Sequence, residues 1–257
     1  MSAQQLEGLV RDMHDLSEVR ENQLLAALPE ESLERLLPSL EKVILPPGEI
    51  LYDFDDELTY LFFLGRNTVV SLLCTTDEQV NVEVGLCGNE GAIGVFGLLG
   101  AETTAHQNLV QVPGSGWRLA MPAARAEFKL GGRFQELLMK FTQALFIQVS
   151  QTALCNRLHS DEERLARWLL LSNDRIEFNQ LPLPRVLLAK LLGRSLSGVS
   201  LTAGILERSG LIRYNGAELT IVDREKLEAV ACSCYWVVKR QAAKVLEISS
   251  SDRRTKQ

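Results

Sequence analysis

Residues 183–214 read LPRVLLAKLLGRSLSGVSLTAGILERSGLIRY. Val186, Leu187, Ala189, Leu191 and Leu192 form a short helical stripe that Gly193 breaks. Val199, Leu201, Ile205 and Leu206 then resume a helical period, three or four apart. Gly210 stands where a C-terminal glycine ends a helix, and Leu211-Ile212 begins an extended run. Two short helices around a glycine turn predict a helix-turn-helix, its second helix sized for the major groove of B-DNA. A helix-Gly-helix also occurs as plain packing in proteins that never touch DNA, so the unit needs support from the rest of the chain.

Downstream, Arg213 to Ile221 reads as strand, Asn-Gly turn, strand, the wing of a winged helix. Asp223 to Val238 reads as one closing helix and Ser249 to Gln257 as a disordered tail. Upstream, Asp161 to Asp174 is an amphipathic helix that opens on acids, with Leu165, Trp168, Leu169 and Leu171 facing a core. Before it, Arg133 to His159 is free of Gly and Pro, a helix of roughly 27 residues or about 40 Å. Leu138, Phe141, Leu145, Gln148, Thr152, Cys155 and His159 alternate three and four apart along it as a heptad seam. The length favours a dimer helix over one packed only on its own domain.

From Glu41 the period falls towards two. Strand-like runs cover Lys42–Leu45, Ile50–Tyr52, Tyr60–Leu64, Thr68–Cys74, Val80–Leu86, Asn108–Val112 and Gly116–Ala120, which predicts a double-sheet β-roll over about 41–120. Ser115 between two glycines reads as a turn between strands. Two short helices precede the roll from Asn22, with Ser32 as a cap. The predicted division is N-terminal helices and polar leader at 1–40, β-roll at 41–132, dimerisation helix at 133–160, winged helix-turn-helix at 161–248 and tail at 249–257.

At 257 residues the chain suits one large or two small domains. No apolar run reaches a membrane span, and the charged N-terminus lacks a signal-peptide core, which favours the cytoplasm and no membrane partner. The net charge of -6 argues against indiscriminate coating of nucleic acid, but it is unevenly spread. From Ser160 onward there are 16 Lys/Arg against 12 Asp/Glu, whereas residues 1–159 carry 11 against 21. An acidic front and a mildly basic back suit a sensor joined to a DNA-binding module. The five cysteines, Cys74, Cys87, Cys155, Cys232 and Cys234, are no disulfide framework. Cys232-Ser233-Cys234 invites a metal reading, yet no cysteine pair or histidine lies near it in sequence. Buried or free thiols are expected, with no metal and no cofactor. No nucleophile–base pairing or phosphate loop points to an enzyme.

The chain resembles the cyclic-AMP receptor and fumarate-nitrate regulator (Crp/Fnr) superfamily over about residues 22–238. The resemblance rests on Gly88-Asn89-Glu90-Gly91, on Cys155 to His159 with Glu163 to Leu170, and on Leu211 to Tyr214 with Ile221 to Arg224. It implies an α+β fold: a cyclic-nucleotide-binding-like β-roll, a long dimerisation helix and a C-terminal winged helix-turn-helix. It also implies a bacterial transcription regulator, with double-stranded DNA, a second copy of the chain and RNA polymerase as partners and an effector still to be identified. In nucleotide-binding members a Glu in the turn after the roll's glycines holds the ribose and an Arg about a dozen residues on pairs with the phosphate. Here Gly94 is followed by Val95 at the Glu position, His106 falls near the Arg position, and 101–108 contains no Arg. Losing both partners predicts no cyclic-nucleotide binding. Glu90 is a substitute polar contact or a turn cap.

Many members also carry Arg, Glu and Arg on the groove side of the recognition helix. Those positions are Leu196, Ser197 and Leu201 here, and the closer subgroup's basic residues at about 195 and 196 are Ser195 and Leu196. The remaining candidates for DNA contact are Arg194, Ser195, Ser197, Ser200 and Thr202, with Arg185, Lys190, Arg208 and Arg213 for phosphates. Two functions follow. One is a dimeric DNA-binding regulator with a degenerate sensor domain. The other is a relative that has lost specific DNA reading and serves as a protein-interaction or small-molecule-sensing module, its apolar Leu196 and Leu201 facing a partner.

Overall fold

The structure is a computed structural model that describes residues 16–75 and 81–251. The N-terminal leader up to residue 15, with His14, lies outside the described residues. Helix α1 (Gln23–Ala26) is capped by buried Asn22, which also donates to the carbonyls of Leu64 and Gly91 and so ties the helix to the roll. Helix α2 (Glu30–Leu36) starts at Pro29, so Ser32 lies inside it and caps nothing.

The roll comprises β1 (Leu40–Leu45), β2 (Ile50–Tyr52), β3 (Tyr60–Leu64), β4 (Val69–Thr75), β5 (Asn81–Cys87), β6 (Ala92–Ile93), β7 (Gln107–Val112) and β8 (Gly114–Ala120). One sheet runs β1-β8-β3-β6 and the other β2-β7-β4-β5. Ser115 is inside β8, opposite Ile44, and not in a turn. The chain changes sheet at Pro113, which has no N–H to give a ladder. Helix α3 (Met121–Lys129), unforeseen in the sequence, leads into α4 (Gly132–Leu158).

Helix α5 (Asp161–Asn173) opens on a capping box of Ser160 and Glu163. Then come β9 (Gln180–Pro182), α6 (Arg185–Leu192), α7 (Leu196–Arg208), β10 (Ile212–Asn215) and β11 (Glu218–Ile221), with β9 as a third strand beside the wing. The wing turns at Gly216-Ala217, one residue later than the Asn-Gly reading, because Asn215 still pairs with Glu218. The expected single closing helix is two, α8 (Arg224–Val230) and α9 (Cys234–Ser251), broken where Ala231 goes extended. Of the expected tail, 249–251 are helical and 252–257 lie outside the described residues.

The long helix corrects the sequence reading most. Leu138, Phe141, Leu145, Gln148, Thr152 and Cys155 are all buried within the same chain, so the heptad seam is not the dimer face. Gln148 accepts from the Leu86 amide and donates to its carbonyl, pinning α4 to β5. Thr152 takes a hydrogen bond from Arg167 of α5, and Cys155 meets Cys232. The free face of α4 is the opposite one, where Met139, Phe146, Leu154 and Leu158 are exposed. Two apolar stripes share this helix, and the more regular one turned inward.

The C-terminal domain sits directly on the roll. Val69, Leu73, Leu86 and Leu109 share one apolar cluster with Leu165, Leu169, Leu188 and Val199. Among the described residues no single helix is long and apolar enough to cross a membrane.

Candidate nucleic-acid interface

Helices α6 and α7 turn by 107° at their break, within the range of helix-turn-helix units. Gly193 makes the turn in the left-handed region at φ 59°, ψ 40°. A Cβ there would meet Val82 at 2.7 Å, so the turn lies tight against the roll. Val199, Thr202, Ala203 and Leu206 point α7 inward. Thr202 is therefore removed from the candidate contacts. Leu196 (48 % exposed), Ser197, Ser200 and Leu201 (64 % exposed) lie on the outward face.

The basic rim is partly engaged. Arg194 pairs with Asp161 at 2.6 Å, an exposed contact that a phosphate can displace at a cost of about 1 kcal/mol or less. Arg185 stacks over the Tyr214 ring at 4.4 Å and lies 3.7 Å from Glu207. Arg213 on the wing, Lys190 and Arg208 are exposed. Ser195 uses its hydroxyl to cap α7 through the Gly198 amide and also meets the Ser197 hydroxyl. It shapes the helix start more than it offers a free contact.

The roll's pocket is filled. Gly94, at φ 92°, precedes a short 3-10 turn over Val95–Leu99, and a Cβ on it would meet the Tyr60 carbonyl at 2.5 Å. Val95 is buried and His106 stacks on Phe96 at 5.9 Å, its pKa lowered by burial. Leu58, Leu72 and Leu145 close the cavity, which has a volume of about 20 Å³, room for about one water. No guanidinium or carboxylate lines it. Glu90 is not part of this pocket. It pairs with Arg175 of the C-terminal domain at 2.7 Å, where it ties the two regions together.

A second tie is buried. Glu83 on β5 accepts from Ser71 Oγ and from Trp168 Nε1, both at 2.7 Å. Burial pushes its carboxyl up to about 7, against the pull of its two hydrogen bonds and of Arg167 and Arg175. Periodicity placed Trp168 in a core but held no sign of this acid partner. The fold also brings Cys155 and His159 of the long helix against Cys232 and Cys234, a neighbourhood that sequence spacing does not show.

Residues 163–230 match the Crp-like helix-turn-helix domain. No curated protein matches the chain. Its fold is similar to FixK2 from Bradyrhizobium japonicum, at 15 % identity and TM-score 0.64, over 75 % of this chain and 98 % of that one. It is also similar to a CRP-family transcriptional regulator from Thermus thermophilus, at 16 % identity and TM-score 0.60, over 74 % and 96 %. A third likeness is to the c-di-GMP-responsive global regulator CLP from Xanthomonas campestris, at 16 % identity and TM-score 0.56, over 76 % and 100 %.

Proposed function

We propose that the chain, with its Crp-like helix-turn-helix domain and its fold, is a Crp/Fnr-superfamily regulator that acts as a dimer and binds double-stranded promoter DNA. The observation that carries this reading is the outward face of α7, solvent-exposed beside the wing and rimmed by Arg185, Arg194, Arg208 and Arg213. Phosphates take the rim, and Ser197, Ser200 and the Leu201 side chain meet base edges or thymine methyls. Dimerisation uses the exposed stripe of α4 at Met139, Phe146, Leu154 and Leu158, which would set two long helices side by side. The roll acts without a cyclic nucleotide, a reading supported by a small cavity that no guanidinium or carboxylate lines. RNA polymerase is the further partner such a regulator would meet, and the cytoplasm is where it would work.

The exposed leucines Leu196 and Leu201 favour one competing function, a module whose α7 docks a protein. Binding to pooled DNA from the upstream region of its own gene and to random DNA, titrated with salt, separates the two. A regulator binds the upstream pool selectively and loses affinity steeply with salt. A protein-docking module binds neither pool at modest salt.

A further inference from the structure

We propose that Cys155, His159, Cys232 and Cys234 form a mononuclear zinc site that fastens the C-terminal helix to the end of the long helix. One ligand atom from each residue lies within 4.8 Å of every other. Cys155 Sγ and Cys232 Sγ are 3.4 Å apart, and Cys234 Sγ is 3.7 Å from His159 Nδ1. Around a tetrahedral zinc, sulfur and nitrogen ligands stand about 3.5–3.8 Å from one another, from metal–ligand lengths of roughly 2.3 and 2.0 Å. The two closest pairs already stand at about that separation, and the remaining pairs lie within 4.8 Å.

The backbone explains why they converge. Cys155 lies on the last turn of α4, and His159 is its extended C-cap, whose N–H donates to the Cys155 carbonyl. Cys232 and Cys234 bracket exposed Ser233 at the break between α8 and α9, and both thiols turn inward. The break, which no Gly or Pro accounts for, thus delivers two ligands. The three thiols form a buried cluster separate from both main apolar cores.

Charge supplies an independent argument. Arg167 is buried and donates to a neutral hydroxyl, Thr152 Oγ1, at 2.6 Å. Its Nε–H is buried with no acceptor, and its charge acts on the Glu83 carboxyl on one side and on the Cys155 and Cys234 thiols on the other. Zinc held by three thiolates and one imidazole carries a net negative charge, which a buried guanidinium on the thiol side would stabilise. Three thiolates and an imidazole select zinc over hard cations, and binding releases the thiol protons. A [4Fe–4S] cluster would need each ligand on its own iron, farther apart than these atoms stand. A Cys155–Cys232 disulfide would leave Cys234 and His159 facing each other with no role. Since Ser160 starts the DNA-binding domain directly after His159, the metal would fix how that domain leaves the long helix.

The test is metal content of the full chain, purified reduced and without chelator, followed by replacement with cobalt(II). The expected result is about one zinc per chain and, with cobalt, tetrahedral d–d bands with a thiolate charge-transfer band. Cys234→Ser and His159→Ala should each weaken metal binding by about tenfold or more, while Cys74→Ser on the roll retains it. If the deletions unfold the chain, His159→Cys tests the same site, because it keeps four ligands and should intensify the charge-transfer band. A folded, reduced chain that takes up neither zinc nor cobalt would overturn the proposal. So would metal binding that is indifferent to residues 159 and 234, or a His159→Cys spectrum identical to the wild type.

Discussion

The roll's cavity and the outward face of α7 both carry apolar residues, with opposite exposure. In the roll, Val95 turns inward and packs against the small cavity. On α7, Leu196 and Leu201 turn outward and stay exposed, uncovered by any of the described residues. An apolar residue packed in a cavity serves the chain's own stability. An apolar residue left on a surface signals a contact still to be made. Phe146, 71 % exposed on the long helix, belongs with the second kind.

The strongest way to break this comparison is to put charge back in both places. Val95→Glu should destabilise the fold by roughly 3 kcal/mol or more, since it buries a carboxylate without a partner. Thermal unfolding reads this directly, and a neutral effect would mean that the pocket opens readily. Phe146→Asp comes next. It should weaken dimerisation by about 2 kcal/mol or more and leave monomer unfolding nearly unchanged, as measured by sedimentation. An unaltered dimer would move the interface elsewhere.

Glu83 joins the two regions and sharpens the comparison through pH. Its folded carboxyl lies at about 7, above the ordinary 4.5, so the folded state holds the proton longer than the unfolded one. The stability it contributes is complete below the ordinary value and is lost as pH rises through 7. Between pH 6 and pH 8 the loss should be about 1 kcal/mol, and Glu83→Gln should flatten that slope. The smallest effect is expected for Leu201→Arg. Stability should stay within about 0.5 kcal/mol of wild type, while DNA affinity and its salt slope both rise. A fall in DNA affinity would show that Leu201 itself makes the contact.

Much of this architecture was readable in the residues. Alternation bounded by Gly, Asp and Asn gave β2 and β3 their ends, and Gly193 gave the turn of the helix-turn-helix. Helix α4 shows where periodicity stops being informative. It has an inward stripe at Leu138, Phe141 and Leu145 and an outward one at Met139, Phe146 and Leu154, and spacing cannot tell which meets the chain's own roll. The break between α8 and α9 was hidden because Cys232 and Cys234 count as apolar in a helical pattern. The thiol cluster was hidden because its members are 77 residues apart in Cys155 and Cys232 and meet only in the fold. Glu90 read as a substitute polar contact or a turn cap and Glu83 drew no reading at all, because their partners, Arg175 and Trp168, belong to the other domain.

Hydroxyl-radical footprinting on DNA selected from the upstream pool tests the central claim most directly. A dimer with two outward-facing α7 helices should protect two patches about one helical turn apart, centred on a two-fold axis. A single protected patch, or none for a folded dimer at low salt, would contradict the account.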